Sequence, residues 1–403
     1  MNTIMNTVAK SLHMTPNIPA DRNTAATDAW SRRAVLCGLA ASSLLLFASC
    51  DKQSGKGASA SPIRIGVVLP LTGDAAVYGK AIQNGIELAK EEVGAEKMKI
   101  ELIYEDDQGQ PAKAVSATRK VLDIDKVPAI IGGAMSSTAE AMIPVTEAAK
   151  VVLISPTATK PSLTKPGQMF FRLWPSDDYD GKIMAEAAAS KLKIKRVSIL
   201  YINTAYGVGI TEVFQREFQR LGGTIVSSEG YPQGNTDFRI MLTKIQEQNP
   251  EAVFLPGYVA EIGALLRQAR EMGLKTRFLG VNSLYDPNLV ATAGEAAEGA
   301  VFSYPTFDAK SADATVSSFV RNYQAKYKSD PDAFAAQGYD SFMVLYKALT
   351  NGTASSAGIE KGLRALGEHK GPGGDFHFEQ NGDVQKPLRL LTIRSGAFVA
   401  FSP

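Results

Sequence analysis

From Ile63 onward the chain alternates apolar runs of strand length with amphipathic stretches of helical length, and that alternation constrains the fold more than any single motif. Ile63 to Leu69 is the first run, and Ile82, Ile86, Ala89 and Val93 then recur at helical spacing. Ile100 to Tyr104 is the next run, followed by the helical stripe Ala114, Val115, Thr118, Val121 and Leu122. Short β-rich runs continue at Val127 to Ile131, Val151 to Ser155, Val197 to Ile202, Thr224 to Ser227, Ala252 to Leu255 and Phe278 to Val281, separated by helix-patterned stretches. Strands joined through helices pair in parallel, and parallel sheets need cover on both faces. The predicted class is α/β, with parallel-rich sheets flanked by helices.

The roughly 340 residues after Pro62 exceed what one such sheet organises, so two lobes are expected, each with its own core and with a cleft between them. Residues 63–176 with 305–386 are assigned to the first lobe, and 177–304 with 387–403 to the second. Trp174-Pro175-Ser176-Asp177 and Tyr304-Pro305 interrupt the pattern and are the expected crossing segments, where the lobes would hinge. Beyond the second crossing, helices are expected near Ala312 to Lys328 and Phe334 to Thr350. The last strand, Leu388 to Ile393, suits either lobe and is counted with the second.

Ahead of this body stands an export signal. Ser31-Arg32-Arg33-Ala34-Val35-Leu36 has the twin-arginine form, and the apolar stretch Cys37 to Ala48 is too short to span a hydrocarbon core of about 30 Å. Leu44-Leu45-Leu46-Phe47-Ala48-Ser49 ends in two small residues before Cys50, an arrangement similar to a lipobox with Phe47 where Leu is usual. Residues 1–49 are read as the signal and Cys50 as the lipidated start of the mature chain. Residues 50–62 are small, polar and rich in Gly and Ser, which suits a flexible tether. The body is then expected on the periplasmic or extracellular face, joined to the membrane through its lipid alone.

Losing Lys10, Arg22, Arg32, Arg33, Asp21 and Asp28 with the signal takes 43 basic and 41 acidic side chains to 39 of each. A balanced chain offers no electrostatic footprint for nucleic acid. Cys37 and Cys50 are the only cysteines, and His369 and His377 the only histidines after the signal. That leaves no disulfide in the body, no material for a zinc set and almost none for a Ser-His-Asp device. Nucleophile-elbow, phosphate-loop, dinucleotide and metalloprotease motifs do not occur. The chain reads as a binder and not an enzyme, with no cofactor and no metal.

Ligands of open parallel sheets sit beyond the carboxyl ends of the strands, so the strand-to-helix turns are the places to search. Gly132-Gly133-Ala134-Met135-Ser136-Ser137-Thr138 leads into a helix from about Ala139, and its glycines let backbone approach a ligand closely. Unpaired N–H groups at such a helix start suit a carboxylate. Ser137 and Glu140 have capping-box spacing, so Ser136 and Ser137 are also read as simple caps. Ser155-Pro156-Thr157-Ala158-Thr159 offers a second set of hydroxyls and backbone donors. Leu71 to Gly79 brings Tyr78 to the first helix start, while Tyr206-Gly207, Tyr258 and Asn282 stand at equivalent strand ends farther on. Asp106-Asp107, the one acidic pair at a strand end, is read as an element that orders a loop or caps a helix.

Together and in this order, these pieces resemble the type I periplasmic solute-binding proteins of ABC importers, specifically the branched-chain amino acid (leucine/isoleucine/valine)-binding group. The similarity spans nearly all of Ile63 to Phe401. It is carried by Pro70-Leu71-Thr72-Gly73 with Tyr78-Gly79, Gly132 to Thr138, Ser155 to Thr159, Tyr206-Gly207, Pro256-Gly257-Tyr258, Leu266-Arg267-Gln268-Ala269-Arg270 and Phe378 to Val384. The resemblance implies a two-lobe monomer that closes on a free amino acid and delivers it to an ABC permease. It places the ligand carboxylate on Ser136 and Thr159, with the backbone of Thr157 and Ala158 nearby. Tyr78, Tyr206 and Tyr258 match pocket aromatics, and Ala134 and Met135 line the place where side-chain size is judged. Asn282 stands where the family has an acidic partner for the ligand's ammonium, so that contact is weakened or comes from another residue such as Asp286. Amides and aromatic carboxylates are therefore alternative ligands, and a sensor that reports occupancy to a signalling protein is the alternative role.

Overall fold

In the computed structural model the described residues are 61–402, leaving aside 95, 96 and 306. The export signal, Cys50 and the tether up to residue 60 lie outside them. The chain runs β1 (Ile63–Leu69), α1 (Ala76–Val93), β2 (Ile100–Asp106), α2 (Pro111–Asp123), β3 (Ala129–Gly132), α3 (Ser136–Ala149), β4 (Val152–Ser155) and β5 (Phe170–Arg172). It continues through α4 (Asp177–Glu186), β6 (Arg196–Ile202), α5 (Ala205–Arg220), β7 (Thr224–Tyr231), α6 (Arg239–Gln248), β8 (Ala252–Phe254), α7 (Val259–Glu271), β9 (Arg277–Gly280), α8 (Pro287–Ala293) and β10 (Val301–Pro305). The last elements are α9 (Ala314–Tyr327), α10 (Ala333–Thr350), α11 (Ser356–Arg364), β11 (Leu388–Arg394) and β12 (Ala397–Ala400).

The strands form two sheets. The first is parallel throughout, in the order β2-β1-β3-β4-β5, and the second has the order β12-β11-β10-β9-β8-β6-β7. Alternation along β1 explains how the first sheet is covered: Ile65, Val67 and Leu69 join the apolar cluster shared with α1 and α10, whereas Val68 joins the one shared with α2 and α3. Each such buried aliphatic contributes about 1.5–3 kcal/mol relative to exposure. In the second sheet β6 to β10 are parallel, and β11 then pairs antiparallel with β10, Val301 opposite Thr392. The last strand, open to either lobe on sequence grounds, thus lies in the second sheet.

Between these sheets the chain crosses three times. The first crossing follows β5 and the second follows β10, after which α10 packs on α1 and α11 reaches β4. Phe378 bridges Val384, and Gly382 O accepts the N–H of Arg172 at 3.0 Å, which holds this stretch on the edge of the first sheet. The third crossing lies between Val384 and β11. Pro305, read as a break, closes β10 opposite Leu388. In both sheets the strand order reverses at one point, between β1 and β3 in the first and between β6 and β8 in the second. Those reversals leave crevices at the strands' carboxyl ends.

Candidate functional site

The same local device places an aromatic ring at both crevices. A Cβ on Gly79 would lie 1.9 Å from Pro70 O, and one on Gly207 would lie 2.0 Å from Ile202 O. The first turns of α1 and α5 therefore rest on carbonyls at the ends of β1 and β6, a closeness that only glycine permits. Tyr78 and Tyr206, immediately before these glycines, are thereby fixed at the gap between the lobes. Asp106 steadies the loop leading to Tyr78 by accepting the N–H groups of Leu71 (2.9 Å) and Thr72 (3.3 Å).

The turns after β3 and β4 are stitched together by hydroxyls. Ser136 Oγ accepts the N–H groups of Thr159 and Lys160, each at 3.2 Å. Thr157 Oγ1 donates to Ala134 O at 2.8 Å, and Ser155 Oγ donates to Gly133 O at 2.8 Å while accepting the Ala158 N–H at 3.1 Å. Buried Arg172 supports the same turn from behind, donating to Lys160 O at 2.8 Å and pairing with Asp383. The expected capping box does not form. No side chain caps α3, whose N-cap position is Met135, and Glu140 instead pairs with Lys160 at 2.6 Å. Ser136 spends its lone pairs on the neighbouring turn, so the first N–H groups of α3 keep their capacity for another acceptor.

Tyr78, Ala134, Met135, Ser136, Thr157 and Thr159 from the first lobe, and Tyr206, Tyr258 and Asn282 from the second, line one cavity. Ala158 does not. It is fully buried, and its N–H is committed to Ser155. Ser283 and Phe334 also line the cavity and were not foreseen. Phe334 follows the capping residue Asp332 at the start of α10, a signal the sequence carried, but no strand precedes it to mark it as a cleft position. The space for centres of water-sized atoms is about 40 Å³, enough for a few waters at roughly 10–15 Å³ each.

Both lobes touch around this cavity. Val259 N–H donates to Tyr78 Oη at 3.2 Å, and the Tyr78 and Tyr258 ring centroids are 6.0 Å apart. Tyr206 stacks on Tyr258 at 5.7 Å, while Phe334 bridges Tyr78 at 4.8 Å and Trp174 at 5.2 Å. Burial pushes the phenols of Tyr78, Tyr206 and Tyr258 above their usual range, so they stay neutral donors. Below them, Thr159 Oγ1 donates to Asp177 Oδ2 at 2.8 Å. Burial, reinforced by nearby Asp180, holds the Asp177 carboxyl well above the ordinary carboxylate range. Asp286, considered as a substitute acid, caps α8 by accepting the Asn288 N–H at 2.6 Å. It lines a second cavity with Asp74 and Glu261, which shares Tyr78 and Tyr258 with the first. Among the described residues no cluster of three metal-ligating side chains occurs, and no helix is long and apolar enough to cross a membrane.

A family model described as periplasmic binding protein matches residues 62–397. The chain belongs to the periplasmic binding protein family. Its fold is the two-lobe type I form of that family, which groups solute-binding receptors. Among relatives of this periplasmic binding protein, the Leu/Ile/Val-binding protein of Escherichia coli (strain K12) is 30% identical over 314 residues, covering 76% of this chain and 84% of the relative. A branched-chain amino acid transporter substrate binding protein from Streptococcus pneumoniae, solved in complex with isoleucine, superposes with a TM-score of 0.78 at 30% identity, covering 85% of this chain and all of its own. A solute binding protein of an ABC transporter from Rhodopseudomonas palustris BisB5, solved with 3,4-dihydroxy benzoic acid, gives 0.75 at 26% identity, covering 85% and 96%.

Proposed function

We propose that this protein is an extracytoplasmic receptor that captures a small carboxylate-bearing solute between its lobes and delivers it, chemically unchanged, to an ABC permease. One observation carries the reading: the strand-end turns of both sheets converge on a single cavity at which the α3 start has no side-chain cap. In this reading the Ser136 hydroxyl proton and the backbone at Thr157 grip the carboxylate, with Thr159 lining the wall beside them, its N–H given to Ser136 and its hydroxyl to Asp177; Tyr78, Tyr206, Tyr258, Ala134 and Met135 enclose the body of the solute; and Asn282 faces it from the second lobe. Residues 63–176 with 305–386 and 177–304 with 387–403 act as the two closing bodies. Contacts from both stabilise the shut form over the open one.

The protein acts as a monomer held to the membrane by a lipid on Cys50, after export directed by Arg32 and Arg33. The relative named for leucine, isoleucine and valine and the neighbour solved with 3,4-dihydroxy benzoic acid support two solute classes, amino acids and aromatic acids. A thermal-shift screen across amino acids, amides and aromatic acids tests the reading, because a ligand that binds only the folded state raises its stability by mass action. At least one carboxylate should raise the melting temperature in a saturable way. A flat response across all three classes contradicts receptor function.

A further inference from the structure

The cavity is rich in donors and rings but carries no formal charge: among the described residues lining it there is no Asp, Glu, Lys, Arg or His. Helices start against it from both lobes. Tyr78 lies in the first turn of α1, Ser136 opens α3 and Tyr258 is the N-cap of α7, and none of these three starts has a side-chain cap. At α1 the N–H groups of Ala76 and Tyr78 are taken by the carbonyls of Gly73 and Ala75, and at α7 that of Val259 by Tyr78 Oη, so α3 is the start that keeps free donors, while the partial positive charge of all three favours an anion and opposes a cation. Two hydroxyls mark the same space independently. Tyr206 Oη and Ser283 Oγ, on lining residues only 7% and 4% exposed, have no hydrogen-bond partner among the described residues.

A ligand ammonium would need carboxylate or carbonyl acceptors here. Asn282 offers one carbonyl oxygen. Asp177 and Asp180 lie behind the lining and already accept the hydroxyls of Thr159 and Ser303. Asp74, Glu261 and Asp286 line an adjoining cavity that shares Tyr78 and Tyr258 with this one, and there Glu261 and Asp286 already accept the N–H groups of Gly234 and Asn288. We propose that the ligand is a small monocarboxylate with an apolar or aromatic body and no ammonium group, its carboxylate at Ser136 and the start of α3 and its body against Tyr78, Tyr206, Tyr258 and Phe334. This rests on the receptor reading and narrows it.

Matched pairs that differ only in the amino group test it. Isothermal titration of the purified protein with 3-phenylpropanoate against phenylalanine, and with 4-methylpentanoate against leucine, should show the deaminated acid binding about tenfold tighter or more in at least one pair. Asn282→Glu should reverse that preference, by weakening the acid and strengthening the amino acid. Glycine betaine serves as a third arm, since its quaternary ammonium asks for rings and needs no acceptor. An amino acid binding as tightly as its deaminated partner in both pairs, or betaine binding tighter than either acid, overturns the inference while leaving the receptor reading in place. No heat and no thermal shift from any of these, or from benzoate, overturns both. If Asn282→Glu fails to fold, the wild-type pairs alone decide.

Discussion

Replacing Ser136 with Ala should weaken both the turn and the ligand grip, by amounts that separate cleanly. Ser136 is 2% exposed, and its Oγ accepts two backbone N–H groups at 3.2 Å. Lys160 is only partly buried, so its freed N–H can turn to water, whereas Thr159 is 3% exposed and its N–H is left unsatisfied. One stranded buried donor costs about 1–3 kcal/mol, which in a body of this size lowers the melting temperature by a few degrees. The hydroxyl proton of Ser136 is the one proposed to meet the ligand carboxylate. Losing a charge-assisted bond of about 1.5–3 kcal/mol weakens binding by roughly 10- to 150-fold. Thermal denaturation without ligand reads the first effect, and isothermal titration with a carboxylate that binds the wild type reads the second. Ser137→Ala is the control, because Ser137 does not line the cavity. A lower melting temperature with unchanged affinity would leave Ser136 a purely structural residue and refute the proposed grip.

Three further outcomes follow from the same geometry. Tyr78→Phe removes the acceptor of the Val259 N–H, a bond that joins the lobes, and should reduce affinity by about 2- to 13-fold through a net loss of about 0.5–1.5 kcal/mol from the closed form; small-angle scattering that shows no shift toward an open form, together with unchanged affinity, would argue against closure at this contact. Gly207→Ala must displace α5 from Ile202 O, costing about 1–3 kcal/mol or more and moving Tyr206 from the cavity; wild-type stability and affinity would show that the close approach is dispensable. Burial raises the Asp180 carboxyl from 3.8 to about 6, against the opposing hydrogen bond from Ser303, so the folded state holds this proton more tightly than the unfolded state does. Stability from this group is greatest below about pH 4 and is lost as the pH rises toward 6, on the order of 3 kcal/mol at 1.36 kcal/mol per unit. Urea denaturation of Asp180→Asn should lack that decline, and parallel pH profiles for the two proteins would contradict the account.

Alternating apolar runs were sufficient to read the α/β class, because strands covered on both faces leave an uninterrupted apolar signature. Boundaries shifted by a residue or two, as at Val127 to Ile131, observed as β3 from Ala129 to Gly132. Three-residue β5 went unread because so short a strand has no period of its own. The third crossing had only the 386/387 boundary to mark it, because Leu388 to Ile393 suits either lobe by its sequence and its antiparallel pairing with β10 is what seats it in the second sheet. The cavity was legible because Tyr-Gly and Ser/Thr turns follow strands directly. Phe334 was not, since its helix enters the site from a segment that returns across the cleft. What Ser136 does with its lone pairs was also beyond the sequence, because the choice between capping α3 and tying down the turn after β4 depends on the distance between two chain segments that only the fold sets.

The most direct test is a crystal structure of the protein with the tightest-binding carboxylate from the screen. The account places one carboxylate oxygen within about 2.6–3.2 Å of Ser136 Oγ at the start of α3, with the body of the ligand against Tyr78, Tyr258 and Phe334. A ligand seated beside Asp74, Glu261 and Asp286, or turned so that its carboxylate points away from Ser136 and Thr159, would contradict it.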